Sequence, residues 1–271
     1  MSIDIHFNWF VMAVVMTLIF SAKPAVAQDQ AEQLAKQLAN PVAALISVPF
    51  QFNYDSNIGS AGDGTRATLN VQPVVPFELN IEWNLISRTI LPIVDQKDIS
   101  PGTDSQSGLS DTVQAFFFSP RPGASGLIWG LGPVFLFPTA TDDLLGTEKW
   151  GVGPSAVVLK QTSHWTYGAL ANHVESFAGE SSRADVSSTF VNPFISRTFE
   201  GGWTLGTQLE HTFDQENDQD TGQWSVFLSK ITRIGRQSVS FGITPKYWYK
   251  DAAASPEGFA IRANMTLLFP R

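Results

Sequence analysis

Read two residues at a time, a few extended stretches of this chain gather charged and amide side chains on one face. Glu82, Asn84 and Arg88 share one such face, Gln208 and Glu210 a second, Lys246 a third, and Arg262 with Asn264 a fourth. Both signs of charge are present. A wall carrying these groups supports two chemistries: a lining that selects solutes, or a salt-bridge network across an enclosed space that stiffens the wall. The residue types leave that choice open. If the strands cross a membrane, a lysine or arginine facing lipid costs about 2–4 kcal/mol at the midplane, which turns these side chains inward.

Covalent chemistry has thinner support. A barrel phospholipase needs a serine and a histidine within hydrogen-bond reach, with a polar group to orient the imidazole. His164, His173 and His211 are the histidines available outside the first residues. Asn172 beside His173 falls on the opposite strand face, so adjacency makes no dyad, and no H-x-S-N-G-type arrangement occurs. Asp214, Glu216, Asp218 and Asp220 alternate as oxygen ligands for calcium would, yet the glycine and distal glutamate of an EF-hand loop are missing. A solvated acidic loop accounts for them. The glycines at 146, 151 and 153 lack the Lys-Ser or Lys-Thr of a phosphate loop and read as positions that relieve crowding. No metal site and no cofactor is expected.

The elements that must position these groups are strands. From 258 to 269, Phe259, Ile261, Ala263, Met265, Leu267 and Phe269 alternate with Ala260, Arg262, Asn264, Thr266 and Leu268, an apolar face long enough to cross a bilayer as a tilted strand. Twelve segments of this length are expected: 43–54, 66–78, 81–94, 109–119, 126–138, 150–160, 164–176, 186–198, 203–213, 223–233, 237–249 and 258–269. Faces are assigned readily in the second, ninth and eleventh; segments four to eight are blurred. The connections alternate long and short, and the long set collects acids while Arg121 and Arg236 fall in the short set. Long external loops opposite short periplasmic turns are the pattern of an outer-membrane barrel, with both termini on the periplasmic side. Trp and Tyr near segment ends fit membrane interfaces. Prolines at 49, 73, 92, 133, 154, 193 and 245 oppose it, since proline cannot donate to a ladder.

Composition narrows the classes further. The 271 residues carry 15% charged side chains, a net charge of −8 and no cysteine, which excludes disulfide scaffolds and thiolate metal sites and makes nucleic acid a poor partner. Residues 1–27 read as a secretory signal peptide, with an apolar run from Phe10 to Ala22 before Ala25, Val26 and Ala27. The stretch 28–40 reads as a short polar helix stopped by Asn40 and Pro41, a periplasmic tether over 28–42 ahead of a barrel at 43–271, with a plug entering the lumen as the alternative.

LAKQLANPVAALISVPFQFNYDSNIG at 34–59, WNLISRTILPIV at 83–94, FPTATDDLLGTEKWGVGPSAVVLKQ at 137–161 and WTYGALANHV at 165–174 resemble a bacterial outer-membrane transporter family often mislabelled neuromedin U. The chain is similar as well to outer-membrane proteins encoded with aromatic meta-cleavage pathways. The resemblance implies an outer-membrane barrel passing small molecules and names no substrate. Phe269 is followed by Pro270 and Arg271, a departure from the usual barrel terminus.

The reading is therefore an all-β, 12-stranded antiparallel transmembrane β-barrel with a short N-terminal periplasmic helix. It serves as a non-enzymatic outer-membrane channel for small solutes, with hydrophobic or aromatic ones suggested by Phe116, Phe118, Phe190 and Phe194. Outer-membrane lipid, the barrel-assembly machinery and a small solute are the expected partners of a monomer or small homo-oligomer. The alternatives are a non-conducting barrel whose acidic loops bind cations, and a lipid-active enzyme.

Overall fold

The computed structural model describes residues 25–100, 102–123, 125–250 and 255–270. A helix, α1 (Ala25–Leu38), precedes twelve antiparallel staves. These are β1 (Ile46–Ile58), β2 (Gly64–Val71 continued by Val74–Glu78), β3 (Trp83–Lys97), β4 (Gln106–Leu109 continued by Thr112–Pro120), β5 (Leu127–Phe137) and β6 (Lys149–Gln161). Then follow β7 (Trp165–Gly179), β8 (Ser187–Phe199), β9 (Trp203–Asp214), β10 (Thr221–Ile234), β11 (Gln237–Lys250) and β12 (Gly258–Phe269). Each pairs with the next in sequence, and β1 pairs with β12 from Ile46↔Phe269 to Tyr54↔Ile261, closing the sheet. Closure leaves no edge, so both long sides of every stave have partners.

The signal peptide expected at 1–27 lies outside the described residues apart from 25–27, which form the first turn of α1. Two staves are interrupted, β2 at Gln72 and Pro73 and β4 at Ser110 and Asp111. Pro73 stands at the first break, where no donor is required.

The other interior prolines obey one rule. The β8–β9 ladder skips Asn192 and Pro193 while the β8–β7 ladder runs through Pro193↔Ala169. Pro245 repeats this, missing from the β10–β11 ladder but paired with Ile261 of β12. Pro133 and Pro154 face each other in an unbroken β5–β6 ladder, and each lies at a gap in the ladder on its other side. A proline in an antiparallel sheet removes one donor toward one neighbour only. A one-sided gap absorbs that loss, and the regular strands survive the objection.

Outward-facing side chains make an apolar band that includes Leu131 (54% exposed), Val158 (50%), Leu228, Ile243 and Ile261. Such a contiguous patch is far beyond what a monomer shows to water. Aromatics rim it at both ends: Trp83 meets Trp129 edge-on at the end where the short turns lie, and Tyr247 meets Phe259 near the loops. At the turn end, Arg197 lies over Trp165 and Phe199, and Lys230 over Trp203.

The interior is divided. Its core joins Ile86, Ala115, Phe117 (1% exposed), Ile128, Val134, Val157, Leu159, Leu170 and Val174, all from β3 to β7, with Phe190 and Phe194 of β8 packed against it. The facing wall, β9 to β12 with β1, buries Asn53, Asp55, Thr204, Gln223, Ser225, Ser240, Thr244, Lys246 and Arg262. Apolar residues on both faces explain why segments four to eight show blurred alternation. Of the phenylalanines expected near the solute, Phe190 and Phe194 do point inward. Phe116 and Phe118 do not: Phe116 packs edge-on against Phe135 on the outer surface and Phe118 is exposed, because in β4 the odd positions from Val113 to Ser119 turn inward.

Candidate functional site: the lumen and its stopper

α1 does not trail from the barrel as a tether; it lies across the turn end. Leu34 and Ala35 are buried against Leu45, Ile231 and Leu268, the inward residues nearest that end of β10 and β12. Ala31 rests on Gly202, whose φ of 78° and lack of a side chain let the turn at 200–202 approach the helix. Polar contacts complete the docking: Gln161 donates Nε2–H to the Lys36 carbonyl at 2.8 Å, and Arg233 donates to Gln30 Oε1 at 3.0 Å.

Asn40 then turns the chain inward, its Oδ1 accepting the Val42 N–H at 3.0 Å. Val42 (4% exposed) sits inside the apolar core beside Ile86, Phe117 and Val157. From that side the chain crosses back to begin β1, so residues 39–45 bridge the lumen. The sequence of 28–40 showed a short polar helix, with Leu34 and Leu38 four residues apart, but not its partner. The signal for the stopper was Val42 and Leu45 flanking Ala43 and Ala44, a short apolar run directly before the first strand.

On the polar wall, Arg262 donates Nη1–H and Nη2–H to the two oxygens of Glu210 at 2.9 and 3.1 Å, and Nε–H to Asn53 Oδ1 at 2.7 Å. Gln208 donates to Glu210 Oε1 at 2.6 Å, and Gln223 donates to Oε2. Lys246 pairs with Asp55 at 2.8 Å, and Trp248 donates Nε1–H to the same Asp55 oxygen at 2.9 Å. Farther round, Arg88 donates Nη2–H to Gln72 Oε1 at 3.0 Å, and Gln72 donates to Gln51 Oε1 at 2.7 Å. Asn264 donates to Thr244 Oγ1 at 3.1 Å, leaving its own Oδ1 buried without a partner; Asn84 Oδ1 is likewise buried and unpartnered.

Seven of the eight expected lining residues thus face inward, and five of them, Gln208, Glu210, Lys246, Arg262 and Arg88, belong to these hydrogen-bond chains. Glu82 departs from the expectation. It is exposed in the turn before Trp83, its N–H bonded to Asn80 Oδ1 at 2.8 Å, because the stave begins one residue later and the period-two face does not extend into a turn. Asn53, Asp55, Gln72 and Gln223 are network members that the sequence reading passed over. Asp55 lies two residues from Asn53 on the same face, and that spacing was the available signal.

Between the polar wall and the bridging segment is a cavity of about 300 Å³, lined by Leu38, Arg88, Leu170, Phe194, Phe227 and Arg262 among others. A second, open hollow of about 560 Å³ lies among the loops, lined by Gly146, Thr147, Arg183, Asp185, Ser188 and Asp214. Arg183 ties the loops around it, donating to the Asp143 and Gly146 carbonyls at 2.8 and 2.6 Å. Lys149 donates to Asp185 at 2.8 Å, and this bond with the nearby ammonium holds the Asp185 carboxyl below its ordinary range.

The acidic loop closes on itself. Asp214 Oδ1 accepts the N–H groups of Glu216 and Asn217, and Asp220 Oδ1 accepts that of Asp214. Among the described residues no three acidic or imidazole groups are placed to hold a metal. The histidines among the described residues are outside the lumen. His173 stands between Thr189 Oγ1 at 2.9 Å and Glu175 at 3.3 Å, and His211 bonds Tyr249 at 2.8 Å. A hydroxyl, an imidazole and a carboxylate do meet at His173.

No family model and no curated protein matches the chain. Among solved structures, an outer membrane channel from Pseudomonas putida F1 is similar over 92% of this chain and 100% of that one, with a TM-score of 0.67 at 16% identity. The NanC porin is similar over 83% of this chain and 100% of its own, with a TM-score of 0.48 at 10% identity. The first likeness extends to the whole architecture, and at that identity it establishes a shared fold: the chain has the barrel fold of an outer-membrane channel.

Proposed function

We propose that the protein is an outer-membrane channel for small solutes, inserted with its short turns toward the periplasm and closed at that end by α1 and residues 39–45. The single observation that carries this reading is the cavity between a charged wall and residues 39–45 of the chain. The stopper is held by a few apolar contacts and isolated hydrogen bonds, whereas the wall around it is a continuous ladder. Displacing the first leaves the second intact. The apolar band fits lipid, and Arg197 and Lys230 over tryptophan at the turn end fit a headgroup interface. The resemblance to outer-membrane transporters agrees with this function, and the inward Phe190 and Phe194 add hydrophobic or aromatic solutes as candidates.

Planar-bilayer recording of the refolded protein tests it. The full chain is expected to conduct little, and a variant lacking 28–42 to conduct steadily. Silence from both would overturn the channel.

A second reading, a barrel that never conducts and serves a structural role, draws on the densely packed apolar half of the lumen. It predicts that same silence.

A further inference from the structure

The cavity between the polar wall and the bridging segment has unequal charge. Two charged side chains line it, Arg88 and Arg262, and no carboxylate does. Arg262 is neutralised, since all three of its guanidinium nitrogens donate to Asn53 and Glu210. Arg88 is not. Its one hydrogen bond among the described residues goes to the neutral amide of Gln72, and it takes part in no ion pair there. A guanidinium presents five N–H donors in a planar fork that matches a carboxylate. The carboxylate whose charge reaches it, Glu210, is already bound by Arg262, so a cation set inside the barrel with only an amide as its direct partner calls for an anion.

Across from it the lining is apolar, with Leu170, Phe194, Phe227 and Ile231 on the walls and Leu38 and Leu45 on the stopper. A volume of about 300 Å³ is that of about ten waters. It fits a small molecule with one polar end.

We infer that this cavity is a binding site for an amphipathic monocarboxylate, its carboxylate on Arg88 and its apolar body against Leu170, Phe194 and Phe227. The inference rests on the channel reading and names the class of solute for it. Of the two cations lining the cavity Arg262 is paired with Glu210, which leaves Arg88 alone to receive a carboxylate, so dicarboxylates gain nothing. Cations meet Arg88 and are repelled.

Calorimetric titration of the full-length refolded barrel in detergent tests the site, with benzoate as the probe and benzamide as its uncharged isostere. Benzoate is expected to bind at least about tenfold more tightly, the equivalent of one charge-assisted pair. Arg88→Gln should abolish that preference, and Arg88→Lys should keep part of it. Equal binding of the two compounds, no binding of benzoate, or an undiminished preference in Arg88→Gln would overturn the inference. If Arg88→Gln does not refold, the comparison on the unaltered protein still decides.

Conductance is read separately. A protein that conducts once 28–42 is removed yet does not prefer benzoate loses this site and keeps the channel; one that prefers benzoate and never conducts keeps the site and loses the channel.

Discussion

Arg262 and Glu210 lie on staves separated by two others, yet their side chains meet in a bidentate pair of 2.9 and 3.1 Å within the barrel. The pair ties β9 to β12 over the intervening β10 and β11, whose Gln223 and Lys246 add to it from below or beside. Glu210 therefore has three donor residues, one of them doubly bonded, and Arg262 has its charge matched by Glu210 and three of its five N–H groups engaged. Of the two roles open to the inward charges, this pair is suited to holding the wall.

Removing one partner should expose that role. Glu210→Gln leaves the guanidinium of Arg262 without its anion and is expected to destabilise the barrel by about 2–4 kcal/mol, below the limit for a wholly dry pair because the lumen retains a cavity. Glu210→Gln with Arg262→Gln should recover more than half of the loss. The temperature at which the barrel stops migrating as a folded species on a denaturing gel reads both. Additive losses would remove the pair from any structural account.

Val42 is the point at which the stopper can be loosened without shortening the chain. Val42→Asp places a carboxylate among Ile86, Phe117 and Val157, at a cost of several kcal/mol that the segment escapes by leaving the lumen. Conductance is expected to rise at least about tenfold while the folded migration persists, since about 1.4 kcal/mol of shift already suffices. A folded Val42→Asp barrel as quiet as the parent would show that residues 39–45 are not the closure.

Leu131, 54% exposed in the outer band, tests the membrane face. Leu131→Arg is expected to cost about 2–4 kcal/mol in urea titrations of the protein refolded into vesicles. Arginine at exposed loop position Ser182 should cost less than about 0.5 kcal/mol. Equal effects would mean the band does not meet hydrocarbon.

Acid should loosen the loop vestibule. The Asp185 carboxyl is held low by its bond to Lys149, so the folded form binds its proton less readily than the unfolded one. Stability from this bond is complete above the ordinary aspartate value of about 4 and is lost as pH falls through the lower folded value. Amide exchange of 180–186, compared at matched intrinsic rates, should therefore accelerate below about pH 4 in the parent and be fast at all pH in Asp185→Asn. A profile independent of pH in the parent would leave the bond without consequence.

The twelve staves, their alternation and the long and short connections were legible in the sequence because each depends on local spacing. A strand shows its faces in steps of two, and a closing turn shows its polar residues. That legibility held wherever inward meant polar, as in β9, β11 and β12. It failed in β4 to β8, where Phe117, Val134, Val157 and Leu170 face inward and Phe118, Leu131 and Val158 face outward with the same chemistry. There, the two faces differ only in what lies across the lumen.

Three matters were decided by tertiary structure alone. The stopper needs Val42 to meet residues 44 to 115 positions away, a relation without a local period. Asn53 and Asp55 of β1 reach Arg262 and Lys246 by closure of β1 on β12, which brings together staves that sequence order keeps apart. Arg88 is left with an amide because the acids nearest to it by wall position have other cations, a result of counting charges in an enclosed space. Sequence determines which side chains can turn inward; closure of the ring determines which of them meet, and which one is left with an amide for its partner.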